Sequence, residues 1–194
     1  MNLDKNYWEN RYQQQQIGWD LGTISPPIKH YADGLHNKNL QVLIPGCGNA
    51  HEAEYLIELG FTCVTVIDFA KSALANLQQV QQQAIEQGRL KLVCENFFDH
   101  KGQYDLIVEQ TFFCALDPSL RNAYVNKMKG LLKPDGKLVG LLFNKQFDGG
   151  PPFGGSVAEY HTYFDALFSY VSFEPCLNSV GPRIGSEVWM EVRP

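Results

Sequence analysis

The chain has 194 residues, with 16 Lys and Arg against 21 Asp and Glu, for a formal net charge of −5. No run of Lys or Arg is longer than one residue. That argues against a nucleic-acid groove, which needs a concentrated basic stripe. A hydrophobic content of 44% is that of a soluble globular chain. The N-terminus carries no apolar signal segment, and no apolar run is long enough to cross a bilayer. Five cysteines (Cys47, Cys63, Cys94, Cys114 and Cys176) form no CxxC pair. Four lie in or beside apolar runs, so packed, reduced thiols and a cytoplasmic location are expected. The length suits one domain over residues 1–194.

In chain order, residues 4–14 read as a short polar helix carrying Tyr7, Trp8 and Tyr12, and Gly18–Pro27 as a loop. Leu40–Ile44 is an apolar strand and Ala50–Leu59 a helix, with Asn49 as its cap and Glu52 closing a capping box. Thr62–Ile67 is a strand. Ala70–Gln87 is a helix with Ala73, Leu74, Leu77, Val80 and Ala84 on one face. Strands follow at Leu90–Glu95 and Tyr104–Glu109. Asp117-Pro118 starts a helix to about Leu132, and Pro134-Asp135-Gly136 turns the chain into strand Lys137–Phe143. Tyr170–Phe173 and Glu187–Val192 have no helix between them and predict an antiparallel hairpin at the sheet edge. The strands are apolar almost throughout, as expected when both faces are covered. Strands alternating with helices imply an α/β, doubly wound, mostly parallel sheet whose last strand is antiparallel.

The chemistry concentrates at Ile44-Pro45-Gly46-Cys47-Gly48. A strand running into Gly-x-Gly and then a helix lets a ligand lie against bare backbone with helix N–H groups aimed at it. The next strand ends in Asp68, 22 positions after Gly46. A carboxylate there suits both hydroxyls of a ribose, although it would also serve to cap the helix after it. The dinucleotide fingerprint needs a third glycine, and its place holds His51. No Lys or Arg lies near the turn. A cofactor with a ribose but no phosphate fits, and S-adenosylmethionine is one. Trp19, in a polar loop flanked by Gly and Pro, reads as a core aromatic or as part of a lid spanning about residues 1–30. An aromatic face holds a sulfonium cation for about 0.5–2 kcal/mol. No metal-ligand spacing and no nucleophilic triad stand out.

Six segments together are more specific: Gly18-Trp19-Asp20-Leu21-Gly22, Leu43-Ile44-Pro45-Gly46-Cys47-Gly48, Tyr104-Asp105-Leu106-Ile107, Phe112-Phe113-Cys114-Ala115-Leu116, Leu131-Leu132-Lys133-Pro134-Asp135-Gly136, and Gly149-Gly150-Pro151-Pro152-Phe153. With them the chain resembles the thiopurine S-methyltransferase family, and within it the plant-type halide and thiol methyltransferases. The resemblance covers nearly the whole chain. It implies the Rossmann-like class I methyltransferase sheet of seven strands. It also implies that Trp8, Tyr12 and Trp19 cover S-adenosylmethionine, with Gly46 and Gly48 under it and Asp68 on the ribose. Asn96 and Phe97 would flank the adenine, and Gln110 would lie beside the cofactor. Asn96 stands where an Asp is common, and an amide oxygen can still accept from the adenine amino group. Phe153 stands where several relatives carry Tyr.

Phe112, Phe113, Phe153 and Arg183 are the candidate pocket for the methyl acceptor. One of the paired phenylalanines is expected in the core and the other in the pocket. Arg183 reads as facing an anionic substrate or as a solvated loop residue. Glu109 and Asp148 read as substrate-orienting groups or as surface or cap residues, and His51 and His161 as structural. The expected activity is methyl transfer to a small soft nucleophile, a thiol ahead of halide or thiocyanate, by a monomer whose partner is a small molecule. A non-catalytic S-adenosylmethionine-binding protein and a nicotinamide-dependent oxidoreductase are the competing readings.

Overall fold

A computed structural model of the protein describes residues 3–194. The chain divides into two compact units, Met1–His100 and Lys101–Pro194. The first unit opens with helix α1 (Lys5–Gln13), capped by the Asp4 carboxylate accepting from the Tyr7 backbone, and helix α2 (Pro26–Asp33). Strand β1 (Gln41–Pro45) is followed by α3 (His51–Glu58), β2 (Cys63–Asp68), α4 (Lys71–Val80), α5 (Gln82–Glu86) and β3 (Leu90–Cys94). The three strands pair in parallel, Ile44 opposite Val66 and Val66 opposite Leu92. Val42, Leu43, Ile44, Val64, Val66 and Ile67 are all buried, because helices cover a parallel sheet on both faces.

The second unit holds β4 (Tyr104–Gln110), α6 (Arg121–Leu131), β5 (Leu132–Phe143), α7 (Val157–Phe164), β6 (Tyr170–Pro175) and β7 (Glu187–Arg193). β4 and β5 are parallel, and β7 runs antiparallel to both β5 and β6. Helix α6 buries Arg121, Tyr124, Val125, Met128 and Leu131, a helical period along one face. The sheet has seven strands in the order β3-β2-β1-β4-β5-β7-β6. This is the expected mostly parallel sheet with an antiparallel last strand. No helix among the described residues is long and apolar enough to cross a membrane.

Several local expectations need correction. The segment read as a loop to Pro27 ends at Ser25, where α2 begins with Pro26 in its first turn. The long helix after β2 breaks at Gln81. Val80 is exposed there, and the break returns Ala84 to the core. Asp117 caps a single 3-10 turn, Pro118–Leu120, before α6 starts at Arg121. Pro134-Asp135-Gly136 does not precede the strand but interrupts it. Tyr104 lies opposite Leu132, and Leu106 opposite Lys137. The predicted antiparallel hairpin does lie at the sheet edge, with β6 outermost and β7 between β5 and β6. Cys114 and Cys176 are buried as expected and all five thiols are free, but Cys63 and Cys94, at a strand start and a strand end, are exposed.

One close approach in the second unit fixes a residue type. Gly140 of β5 lies opposite Glu109 of β4, and a Cβ on Gly140 would stand 2.1 Å from the Glu109 backbone oxygen. Backbone cannot move aside as a flexible side chain would. Gly140→Ala is therefore expected to lower stability by about 1–3 kcal/mol or more through overpacking. Chemical denaturation checks this, and an unchanged unfolding midpoint would contradict it.

Candidate functional site

In the first unit, β1 runs into a turn with three left-handed residues at alternate positions: Gly46 (φ 56°), Gly48 (φ 52°) and Ala50 (φ 58°). The N–H groups of the turn go to separate acceptors: that of Cys47 to the Ile67 carbonyl at 3.0 Å, that of Ala50 to the Cys47 carbonyl at 2.8 Å, and that of Gly48 to the Asp68 carboxylate. Its Oδ2 accepts from the Gly48 N–H at 3.1 Å, and its Oδ1 from the Ala70 N–H at 2.9 Å. Asp68 does not cap α4: the flanking residue of that helix is Ala70, and no side chain of its own caps it. The expected Asn49 cap and Glu52 capping box are also absent from α3. Ala50 is the flanking residue there, Glu52 is buried, and the Asn49 side-chain amide donates instead to Asp20. A left-handed Ala50 is incompatible with the extended cap that Asn49 would need to begin.

Burial pushes the Asp68 carboxyl up to about 6, against the lowering effect of the Ala70 and Gly48 N–H groups. Burial also pushes the Cys47 thiol well up, with help from the charges of Asp68 and Glu52. The turn is roofed by aromatic residues. A Cβ on Gly48 would stand 2.7 Å from the Tyr12 hydroxyl oxygen, so glycine is what lets this ring approach. Trp19 meets Trp8 edge-on with centroids 5.5 Å apart, and meets Tyr12 in the same way at 5.9 Å. Desolvation, then the Asp68 charge, raises the Tyr12 phenol far above its ordinary value, so it stays neutral. Trp8, Tyr12, Trp19, Gly46, Gly48 and Asp68 thus share one neighbourhood.

Asn96 and Phe97 follow β3, whose last residue Cys94 lies opposite Asp68. The Asn96 carboxamide oxygen accepts from the Phe98 N–H at 3.1 Å, capping a 3-10 turn. Phe97 is buried beneath it. His51 is structural, as expected: its Nε2 lies 2.8 Å from Asp20 Oδ1, and its Nδ1 faces Glu54 at 3.7 Å.

The second unit carries the other candidates. Gln110 ends β4, and Thr111 follows in the left-handed region (φ 57°). Fully buried Glu109 organises the turn that comes next. Its Oε1 accepts from the N–H groups of Phe112 (2.8 Å) and Phe113 (3.0 Å), and its Oε2 accepts from the Tyr124 hydroxyl at 2.6 Å. Desolvation raises its pKa while those three bonds oppose the rise. It is not a surface group, and by accepting from the Phe113 N–H it caps the 3-10 turn Phe113–Ala115. Phe113 is buried, as expected of one of the pair, and Phe112 is half-buried.

Half-buried Phe153 donates its N–H to the Cys114 carbonyl at 2.6 Å, tying the Gly-Gly-Pro-Pro-Phe segment to the Phe112-Phe113 turn. Arg121 holds the same segment from α6. Its guanidinium donates to the Gly154 carbonyl at 2.7 Å, pairs with Glu159, and lies 4.9 Å from the Phe113 ring centroid. Arg183 is not a solvated loop residue. Its side chain is 11% exposed, pairs with buried Glu187 at 3.5 Å, and lies 5.8 Å from the Phe143 ring centroid. Asp148 is exposed, and His161 pairs with Asp165 on an exposed face of α7. Among the described residues no group of three His, Cys, Asp or Glu side chains could hold a metal.

Sequence reasoning missed Asp20, Glu9 and Arg121. Asp20 stands inside the Gly-Trp-Asp motif, but its partners Asn49 and His51 are about thirty residues away. Nothing local marked Arg121, whose neutralising carboxylate comes from another helix.

Comparison with known proteins bears on the family and the fold. The thiopurine S-methyltransferase (TPMT) family pattern matches residues 3–182. The protein named "Probable thiol methyltransferase 2" in Arabidopsis thaliana is 32% identical over 93% of this chain and 81% of its own length. Thiocyanate methyltransferase 1 of Brassica oleracea is 31% identical over 95% of this chain and 83% of its own length. The structure of the 1,6-didemethyltoxoflavin-N1-methyltransferase of Burkholderia thailandensis has the same fold. It superposes with a TM-score of 0.76 at 17% identity, covering 98% of this chain and 87% of that one. The chain belongs to the thiopurine S-methyltransferase family and is an S-adenosylmethionine-dependent methyltransferase.

Proposed function

We propose that this enzyme methylates a small soft nucleophile, with thiols preferred over thiocyanate and halides, and that Asp68 with the aromatic roof of the first unit holds the methyl donor. The observation that carries the cofactor half is the buried Asp68 carboxylate beside the glycine turn. The residues present fit an adenosine-type group. A carboxylate has about four acceptor positions. Asp68 accepts from the Gly48 and Ala70 N–H groups, and the Phe69 N–H also favours its charged form. The capacity left over would serve the hydroxyls of a ribose. Gly46 and Gly48 would lie under the cofactor, and Trp8, Tyr12 and Trp19 over it. Asn96 and Phe97 would flank the adenine, and Gln110 would lie beside the cofactor. S-adenosylmethionine supplies a methyl group already activated on a sulfonium.

The protein's own residues therefore mainly align and desolvate, and proximity alone can contribute about 7–11 kcal/mol. An ordinary thiol with a pKa near 8.5 is a few per cent thiolate at neutral pH, and halides carry no proton. Neither requires a strong general base. Phe112 and Phe153 would form the apolar wall for the acceptor, with the ring of buried Tyr124 packed against Phe112 at 6.0 Å between centroids. Arg183, its charge partly balanced by Glu187, would favour the anionic form of an acceptor. Domain-wide, residues 1–194 would act as one monomeric, cytoplasmic catalytic module with its lid at about residues 1–30. A protein that binds the cofactor without transfer is the competing reading. Single-turnover transfer of a labelled methyl group to any thiol decides between them, and none seen with the thiols, iodide or thiocyanate would overturn the proposal.

Asp68→Ala should weaken binding of S-adenosylhomocysteine at least about 10- to 150-fold, since each charge-assisted hydrogen bond lost is worth about 1.5–3 kcal/mol. Titration calorimetry measures this, and an unchanged affinity would remove Asp68 from the site. In the wild type the affinity should fall as pH drops through about 6, where Asp68 takes up a proton. The variant's affinity should be flat there. The effect on ligand-free stability has the opposite sign. A carboxyl raised above its unfolded value favours the fold below about 3.8, and that contribution is lost as pH rises through about 6.

For the acceptor, Phe153→Tyr adds a hydroxyl donor to an apolar wall. Thiocyanate and iodide turnover should rise relative to thiol turnover by several-fold, because a bare anion gains a hydrogen bond that a hydrophobic thiol does not need. Competition assays at saturating cofactor check the ratio. A wild-type enzyme preferring iodide over every thiol would contradict the assignment of Phe153.

A further inference from the structure

Helix α1 presents a physical problem. It carries two of the three roof aromatics, Trp8 and Tyr12, yet none of its residues is fully buried. A helix of nine residues is not stable alone, so its position has to come from directional contacts with the rest of the unit. Two carboxylates supply them.

Glu9 reaches α4. Its Oε2 accepts from the Ser72 N–H at 3.1 Å, and its Oε1 accepts from the Ser72 hydroxyl and from Gln13. No side chain of α4's own flanking residue caps that helix, so Glu9 acts as its cap from outside, at the end where a negative charge is favoured. The bonds from Ser72 hold the Glu9 carboxyl below its ordinary range, outweighing desolvation, so it stays charged at neutral pH.

Asp20 fastens the other end of the segment. Its Oδ1 accepts from the Gly22 N–H at 2.7 Å and faces His51 Nε2 at 2.8 Å, while its Oδ2 takes the Asn49 amide. Asn49 and His51 bracket the left-handed Ala50 at the end of the glycine turn. Burial raises the Asp20 carboxyl, but those bonds outweigh it and leave it below the usual range. Trp19 is the neighbour of Asp20, and Trp8 the neighbour of Glu9.

We propose that Glu9 and Asp20 are positioning residues: two carboxylate latches that pin the N-terminal segment to the start of α4 and to the glycine turn, and so set the rings of Trp8, Tyr12 and Trp19 over the cofactor side. The proposal rests on the reading that this roof faces the cofactor. The latches control how tightly and for how long the cofactor is held rather than the transfer itself. They are partly exposed and directional, so they break at far lower cost than a packed core does.

The chain has three tryptophans, Trp8, Trp19 and Trp189, and two of them are in the roof. Acrylamide quenching of tryptophan fluorescence therefore reports the latch without any ligand. Glu9→Gln, Ser72→Ala, their double mutant, Ser72→Thr and Asp20→Asn are compared with wild type. Glu9→Gln, Ser72→Ala and Asp20→Asn should each raise quenching in the ligand-free protein, and raise the cofactor KM and dissociation rate about 3- to 10-fold, with the effect on KM larger than that on kcat. The Glu9/Ser72 double mutant should be less than additive, since the bond from the Ser72 hydroxyl is affected in both singles. Ser72→Thr, which keeps the hydroxyl and the N–H, should behave as wild type.

Unchanged quenching in Glu9→Gln and Asp20→Asn would overturn the latch. So would full additivity of Glu9 and Ser72, or a loss confined to kcat. If wild type fails to bind S-adenosylhomocysteine, the cofactor reading fails by itself, and the quenching series still decides the latch.

Discussion

The arrangement of the first unit depends on one buried charge. Asp68, at the end of β2, accepts from Gly48 in the turn after β1 and from Ala70 at the approach to α4. One carboxylate thereby fixes two loops that leave neighbouring parallel strands. Holding a charge in so dry a place is costly, which is why its pKa is pushed up to about 6. The backbone N–H groups of Gly48 and Ala70, with that of Phe69, oppose the rise and hold the carboxylate in place.

The second unit uses the same device. Glu109 is a fully buried carboxylate at the end of a strand, and it too collects backbone N–H groups from the turn that follows. Where Asp68 ties one loop to another, Glu109 folds its own loop back and adds the Tyr124 hydroxyl as a third donor. It is satisfied by protein groups and serves to set the direction of Phe112. Both carboxylates hold a turn in place by collecting backbone N–H groups at the end of a strand.

Much of this was legible in the sequence, because the parallel strands are apolar throughout and the helices between them have clear periods. The Gly-x-Gly turn and Asp68 follow from local patterns, and so does the separation of Phe112 from Phe113, since one of two consecutive side chains after a strand must point away from the core. What was not legible depends on partners distant in sequence. Asn49 looks like a helix cap from its neighbours alone, and only the position of Asp20, 29 residues earlier, draws its amide elsewhere. Glu9 is an unremarkable acid on a polar helix until Ser72 is beside it. The Lys133–Gly136 excursion reads as a turn because proline, aspartate and glycine are turn formers. Its place within β5 is set by pairing with β4.

The central claim is that the Asp68 carboxylate and the Trp8–Tyr12–Trp19 roof enclose the methyl donor. A crystal structure of the protein with S-adenosylhomocysteine measures this directly. The account predicts both ribose hydroxyls within hydrogen-bond distance of the Asp68 oxygens, with the rings of Trp8 and Trp19 against the bound molecule. A ribose placed away from Asp68, or a ligand that leaves these rings untouched, would contradict it.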